Sequence, residues 1–507
     1  MIRRRGFDTG RYLSAQVRRI MERVDQYDKL YLEFGGKLRY DHHASRVLPG
    51  FEVDTKVQML RKLGDQAEIV HCISAKDIER RKVRRDFGLT YEDQIIKDIG
   101  DLSELGLEVS AVVINRYEGE HAADKFRQRL ENRGIRVYIQ YEIEGYLTDI
   151  DRVVSDEGFG RPEHVDTLKR IVVVTAPGPG SGKMSFCMSQ VYQDRMRGVM
   201  SGFAKFETFP IWNLPLDHPV NVAYEAATAD MGDYNCLDPW HKEAYGVEAV
   251  NYNRDVENFA LMRRIIEKMS VPGDAMAGIR SPTDMGVNMA REGIVDDGVC
   301  REAAREEIVR RFYQYRREFV EGLTTYDTLE RMDAIMVKAG VKPADRDVAR
   351  AANRALDEAV KDPTKGYRGL HSGAAIEILG DDGEKVLLTG KRSPLLHSES
   401  AALLNAVKYM GGIPDEINVL SPVIIESIVG LKRSLGLDES LDVKEVLDAL
   451  AVSAVFNPNA AECIKALPRL MGCEMHSTHL MDGGCEIPLK ELGLNITTDA
   501  KLPINNA

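Results

Sequence analysis

Pro177-Gly178-Pro179-Gly180-Ser181-Gly182-Lys183-Met184 follows the apolar run Ile171-Val172-Val173-Val174 and leads into the helix-like stretch "CMSQVYQDRMRGVM". Strand, glycine-rich turn, lysine and helix in that order suit phosphate binding. A P-loop, G-x-x-x-x-G-K-[ST], turns its backbone N–H groups inward to the phosphates, and its Lys reaches the terminal ones. Gly182 and Lys183 match that pattern, whereas Pro177 replaces the first glycine and Met184 the Mg²⁺-binding hydroxyl. Pro177 and Pro179 offer no N–H. The amides of Gly178, Gly180, Ser181, Gly182, Lys183 and Met184 remain as an anion nest at a helix start. A thioether is a poor Mg²⁺ ligand, so any metal accompanying ATP or another nucleotide falls to Ser185, to carboxylates or to water. The expected phosphate-binding residues are therefore Gly178, Gly180, Ser181, Gly182, Lys183 and Ser185. A tight strand-to-helix turn with an exposed lysine is the alternative.

A second glycine pair, Gly35-Gly36, followed by Lys37, ends the run "KLYLEF". A glycine pair after the first strand of an α/β sheet lets a ligand approach the backbone at the carboxyl edge, where such folds bind ligands. Acid–base or metal-contacting candidates are Glu207, Asp217 and His218 in "KFETFPIWNLPLDHPVNVAYEAATAD", and Asp230 at its end, with Lys183 neutralising developing charge. A clean run of four apolar residues closed by Asp is missing around both Asp156-Glu157 and Asp230–Asp233. Ser281 or Thr283 in "IRSPTDMGVNMA" suits a helix cap.

In the last third, "HSESAALLNA" places His397 and Glu399 at a helix start. Hairpin, H-x-E helix, strand, proline and helix in that order resemble the cytidine-deaminase fold, in which H-x-E supplies a zinc ligand and a proton shuttle and P-C-x-x-C supplies two more ligands. Here Pro422 is present, but Val423 and Ile425-Glu426 stand where the cysteines would fall, so the resemblance implies a scaffold without its zinc cysteines. Cys473, His476, His479 and Cys485 are zinc-ligand types at an unfamiliar spacing. An ordinary loop is the default there, and no metal residue is assigned.

These residues need elements to hold them. Between residues 28 and 205, "KLYLEF", "AEIVHCI", "VSAVVIN", "IRVYIQY" and "RIVVV" alternate with helix-period segments such as "HAADKFRQRLENRG". Strands apolar at every position and joined by helices predict a doubly wound parallel sheet covered on both faces. The expected organisation is an α/β phosphate-binding domain over 1–205 and an irregular, loop-rich segment covering the site over 206–300. A charged helical region over 301–365 and a deaminase-like α/β domain over 366–507 follow. In the last, "AIEILG" and "KVLLTG" form a hairpin by the Asp-Gly rule, and "EINVLS" reads as a strand before the Pro422 helix.

Of 507 residues, 44% are hydrophobic and 29% charged, which allows an ample core. A net charge of −12 argues against a nucleic-acid or membrane-surface binder. No segment approaches the ~20 uninterrupted apolar residues of a membrane span, and "MIRRRGFDTGRYLSAQVRRIMERV" lacks the apolar core of an export signal. Seven scattered cysteines fit reduced thiols in a cytoplasm.

The stretches "FGGKLRYDHHASRVLPGF", "VVVTAPGPGSGKM", "FETFPIWNLPLDHP" and "SPTDMGVNM" resemble, along the whole chain, a bacterial "domain of unknown function" family with a corynebacterial member. That resemblance implies a cytoplasmic α/β protein and carries no activity with it. The expected function is binding of a nucleotide or phosphorylated metabolite, with ATP-dependent phosphoryl or ligase-type chemistry, in a homo-oligomer. The alternative is a non-catalytic nucleotide-sensing or assembly protein.

Overall fold

Six of the seven strands that organise the first unit appear before residue 207: β1 (Lys29–Phe34), β2 (Ala67–Ser74), β3 (Val109–Tyr117), β4 (Val137–Tyr141), β5 (Ile171–Thr175) and β6 (Ser201–Phe206). The computed structural model describes residues 4–501, apart from 37, 40, 84–87, 147 and 381–382, and the backbone of 504 and 505. A short antiparallel pair, β7 (Asn235–Leu237) with β8 (Val250–Tyr252), stands apart from the main sheet. The seventh strand, β9 (Gly286–Val287), completes that sheet in the order β4-β3-β2-β5-β1-β6-β9, with every pairing parallel. Ile171, Val172, Val173 and Val174 are fully buried, as a central parallel strand requires.

Residues 4–228 and 233–304 cluster into this unit. The stretch 206–300 is more regular than its composition suggests. It contains helices Pro219–Ala227, Pro239–Tyr245 and Asn253–Met269. Proline accounts for the first two: at the first helical position its missing N–H costs nothing and its φ is already helical. His218, Asp238 and Ser281 each cap the helix begun by the following proline, accepting from the amides of Val220, His241 and Asp284.

The second unit comprises residues 229–232 and those from 305 onward. Helix Asp297–Val320 carries the chain into it, and helices Tyr326–Ala339 and Asp347–Lys361 follow. Its strands are β10 (Leu370–His371), β11 (Gly373–Leu379), β12 (Lys385–Lys391), β13 (Glu474–Ser477), β14 (Asn495–Thr498) and β15 (Ile504–Asn505). Four of them form a sheet ordered β12-β11-β13-β14, with β11 antiparallel to both neighbours and β13 parallel to β14. The β11–β12 hairpin matches expectation; Asp381 and Asp382 of its turn lie outside the described residues.

The stretch "EINVLS" forms no strand. Only Val419 and Leu420 within it are buried, and Asn457 Nδ2 donates to the carbonyls of Asn418 and Val419 where a neighbouring strand would have to. Among the described residues no helix is long and apolar enough to cross a membrane.

Candidate functional site

Strand order decides which side chains meet. In register, Glu33 on β1 lies between Val174 on β5 and Lys205 on β6. Residues two apart on a strand share a face, so Glu33 projects with Tyr31. The Tyr31 hydroxyl donates to Asp194 Oδ2 at 2.9 Å on helix Lys183–Met196, which fixes that helix over this face. Phe34 and Phe206 stack at 4.4 Å one register step later, on the opposite face.

The glycine-rich turn enters the Lys183–Met196 helix from the end of β5. Gly180 and Gly182 have φ of +76° and +81°, a region closed to most side chains. Asn115 Nδ2 donates to the Ser181 carbonyl at 2.7 Å, and Ser181 Oγ donates to the Gly178 carbonyl at 2.6 Å. The Ser181 hydroxyl thus holds the turn rather than a ligand. Tyr91 covers Gly178: a Cβ there would lie 2.1 Å from its hydroxyl oxygen. Helical bonding begins only with Phe186 N–H to Gly182 O. No side chain caps the helix, and the amides of Gly180, Ser181, Gly182, Lys183, Met184 and Ser185 have no acceptor among the described residues.

Lys183 Nζ lies 3.7 Å from Glu33 Oε1, both side chains largely buried, and Glu33 Oε2 is buried without a hydrogen-bond partner among the described residues. Lys205 is buried in an ion pair with Asp255 and donates to the Tyr252 hydroxyl at 2.9 Å. Burial opposes its charge, but Asp255, Tyr252, Glu33 and Glu207 together hold its pKa well above the usual lysine value. Glu207 is pushed up to about 8, first by burial, then by Asp255 and Glu33, with Lys205 opposing. The Tyr146 hydroxyl is raised to about 12, first by desolvation and then by the Glu33 charge. One carboxyl thus titrates near neutrality beside a fixed ammonium, a combination common at catalytic centres.

Lys183 and Glu207 therefore share one electrostatic cluster, joined through Glu33, which acts on both. Gly35 and Gly36 adjoin it, although the Gly35 amide is bonded to Phe206 O at 3.1 Å and its carbonyl to Lys56 Nζ at 3.0 Å. Lys37 lies outside the described residues. His218 is occupied in holding the fold, since its Nδ1 accepts from Val220 N–H and its Nε2 pairs with Asp297 at 2.9 Å. Asp217 is exposed without a hydrogen bond among the described residues. Asp230 belongs to the second unit, where it accepts from Tyr315 at 3.3 Å. Glu33, Asn115, Tyr252 and Asp255 join the site without having stood out in the sequence. The readable signal for Glu33 is a carboxylate in an otherwise apolar run just before Gly35-Gly36.

The four zinc-type residues of the C-terminal stretch separate. His476 pairs with Thr497 and Asp499, and Cys473 Sγ faces the Arg469 carbonyl. His479 lies 3.6 Å from Glu399. Cys485 reaches His397, on a helix other than the one beginning at Pro422.

Residues 5–340 match the domain of unknown function DUF1846, N-terminal, and residues 344–506 its C-terminal counterpart. A UPF0371 protein of Clostridium tetani is 46% identical over 500 residues, covering 98% of each chain. One from Fusobacterium nucleatum is 45% identical over 509 residues, 99% of this chain and 98% of its own. The chain belongs to this DUF1846, or UPF0371, family of bacterial proteins.

Proposed function

We propose that the first unit binds a small phosphate-bearing molecule, a nucleotide or phosphorylated metabolite, at the carboxyl edge of β5, β1 and β6. The observation that carries this is the row of amides from residue 180 to residue 185, left without acceptors where the helix dipole favours an anion. Lys183 would exchange Glu33 for phosphate, and the freed Glu33 carboxylate would take a ligand hydroxyl or Mg²⁺, which Met184 cannot hold. Ser185 remains available beside it. Glu207, half-ionised near pH 8, suits proton transfer in phosphoryl or ligase-type chemistry.

Thermal shift with ATP, GTP and sugar phosphates, with and without Mg²⁺, tests this. A ligand at 100 times its Kd adds about 2.7 kcal/mol of stability. We expect at least one phosphate compound to raise the melting point of the wild type and not that of Lys183→Ala. If none does, or if both proteins respond alike, the proposal fails.

The same reading extends to the second unit as a cytidine-deaminase-like arrangement. The sheet order β12-β11-β13-β14 and the H-x-E helix start at His397 support it. A nucleotide-sensing assembly protein is the second reading, favoured by exposed Val423, Leu431, Val455 and Phe456 on this unit. Sedimentation with and without the shifting ligand separates them: ligand-dependent association without turnover marks a sensor, and turnover in a fixed assembly marks an enzyme.

A further inference from the structure

The second unit holds a convergence of side chains that the phosphate site does not use. His397 precedes helix Ser398–Met410, and helix Gly483–Glu491 brings its cap Asp482 and Cys485 against it. Cys485 Sγ is 3.4 Å and Asp482 Oδ2 4.0 Å from the same atom, His397 Nδ1, and one ligand atom from each residue lies within 4.8 Å of the others.

We propose that His397, Asp482 and Cys485 bind a divalent transition ion of the zinc type, with one coordination position left for a ligand from outside the chain. Zinc–nitrogen bonds of about 2.0–2.1 Å and zinc–sulfur bonds of about 2.3 Å at a tetrahedral angle separate nitrogen from sulfur by roughly 3.6 Å. The observed 3.4 Å is close to that value, and rotation of Asp482 Oδ2 closes the wider gap. The other oxygen of Asp482 is fixed by the Cys485 amide at 2.9 Å, so one oxygen holds the helix and the other remains for the ion.

Surrounding groups favour this occupant. A thiol and an imidazole select zinc-like ions over Mg²⁺ or Ca²⁺. His397 Nε2 lies 3.8 Å from Asp438, which Arg392 holds at 2.5 Å, the kind of carboxylate that orients a ligating imidazole. Glu399 is not counted as a ligand, because its two oxygens accept from Ser477 and Ser398. His397 and Cys485 are buried, while the Asp482 side chain is 59% exposed and gives an ion its way in.

Cobalt(II) titration of the chelator-stripped full-length protein tests the site. The wild type should take up one equivalent with a thiolate-to-cobalt charge-transfer band that zinc abolishes. Cys485→Ser should lose the band and Cys473→Ser keep it, and Asp482→Asn, at an exposed position, should weaken affinity by at least ~10-fold. Absence of the band in the wild type overturns the proposal even if Cys485→Ser fails to fold. Persistence of the band in a folded Cys485→Ser, or unchanged affinity in Asp482→Asn, overturns it as well.

Discussion

Glu207→Gln exchanges a half-buried carboxyl for an amide of the same shape and removes one titration from the first unit. The folded-state pKa of Glu207 is about 8 against an ordinary 4.5. A carboxyl raised in the folded state contributes fully below pH 4.5, and that contribution falls as pH rises, because the unfolded chain ionises first. The loss runs at about 1.4 kcal/mol per pH unit until the folded group ionises too near pH 8. The interval from 4.5 to about 8 corresponds to roughly 5 kcal/mol across the window. Trp212 and Trp240 are the only tryptophans and both lie in the first unit, so their fluorescence reports its unfolding selectively. Urea unfolding at pH 5, 6, 7, 8 and 9 should show wild-type stability falling steadily relative to Glu207→Gln up to pH 8 and parallel beyond it. Parallel curves from pH 5 to 8 would refute the assignment of a raised carboxyl pKa, and with it the acid–base role.

Gly182→Ala should cost about 2–4 kcal/mol in urea unfolding and abolish phosphate binding, because its φ is +81° and a Cβ would meet Asn115 at 2.9 Å. Lys205→Met leaves the Asp255 carboxylate buried and unpaired, so we expect a loss of about 3–5 kcal/mol. Lys205→Met with Asp255→Leu should recover most of it in the same assay. His218→Ala removes a helix cap and should cost about 1–2 kcal/mol while leaving any phosphate-dependent thermal shift unchanged.

The parallel sheet was legible because β1, β3 and β5 each hold an unbroken apolar run (Leu30–Leu32, Ala111–Ile114 and Ile171–Val174), as strands covered on both faces do. β6 was not, since Ser201, Gly202 and Lys205 interrupt the pattern; Lys205 is tolerated inside only because Asp255 and Tyr252 meet it. The proline-rich stretch after residue 206 hid three helices, whose cap-and-proline pairs are start signals as much as loop signals. Lys183 and Glu207 could be picked out by type and local spacing. Their meeting through Glu33 could not, because it depends on β1 lying between β5 and β6 although it precedes both by more than a hundred residues. His218 looked chemical in sequence and is structural, with both ring nitrogens occupied.

A crystal grown with the phosphate compound that gives the largest thermal shift tests the central claim most directly. A phosphate seated on the main-chain N–H groups of residues 180–185 is expected, with the Lys183 ammonium swung from Glu33 onto it. A ligand bound elsewhere, with Lys183 still on Glu33 and the turn bare, would contradict it.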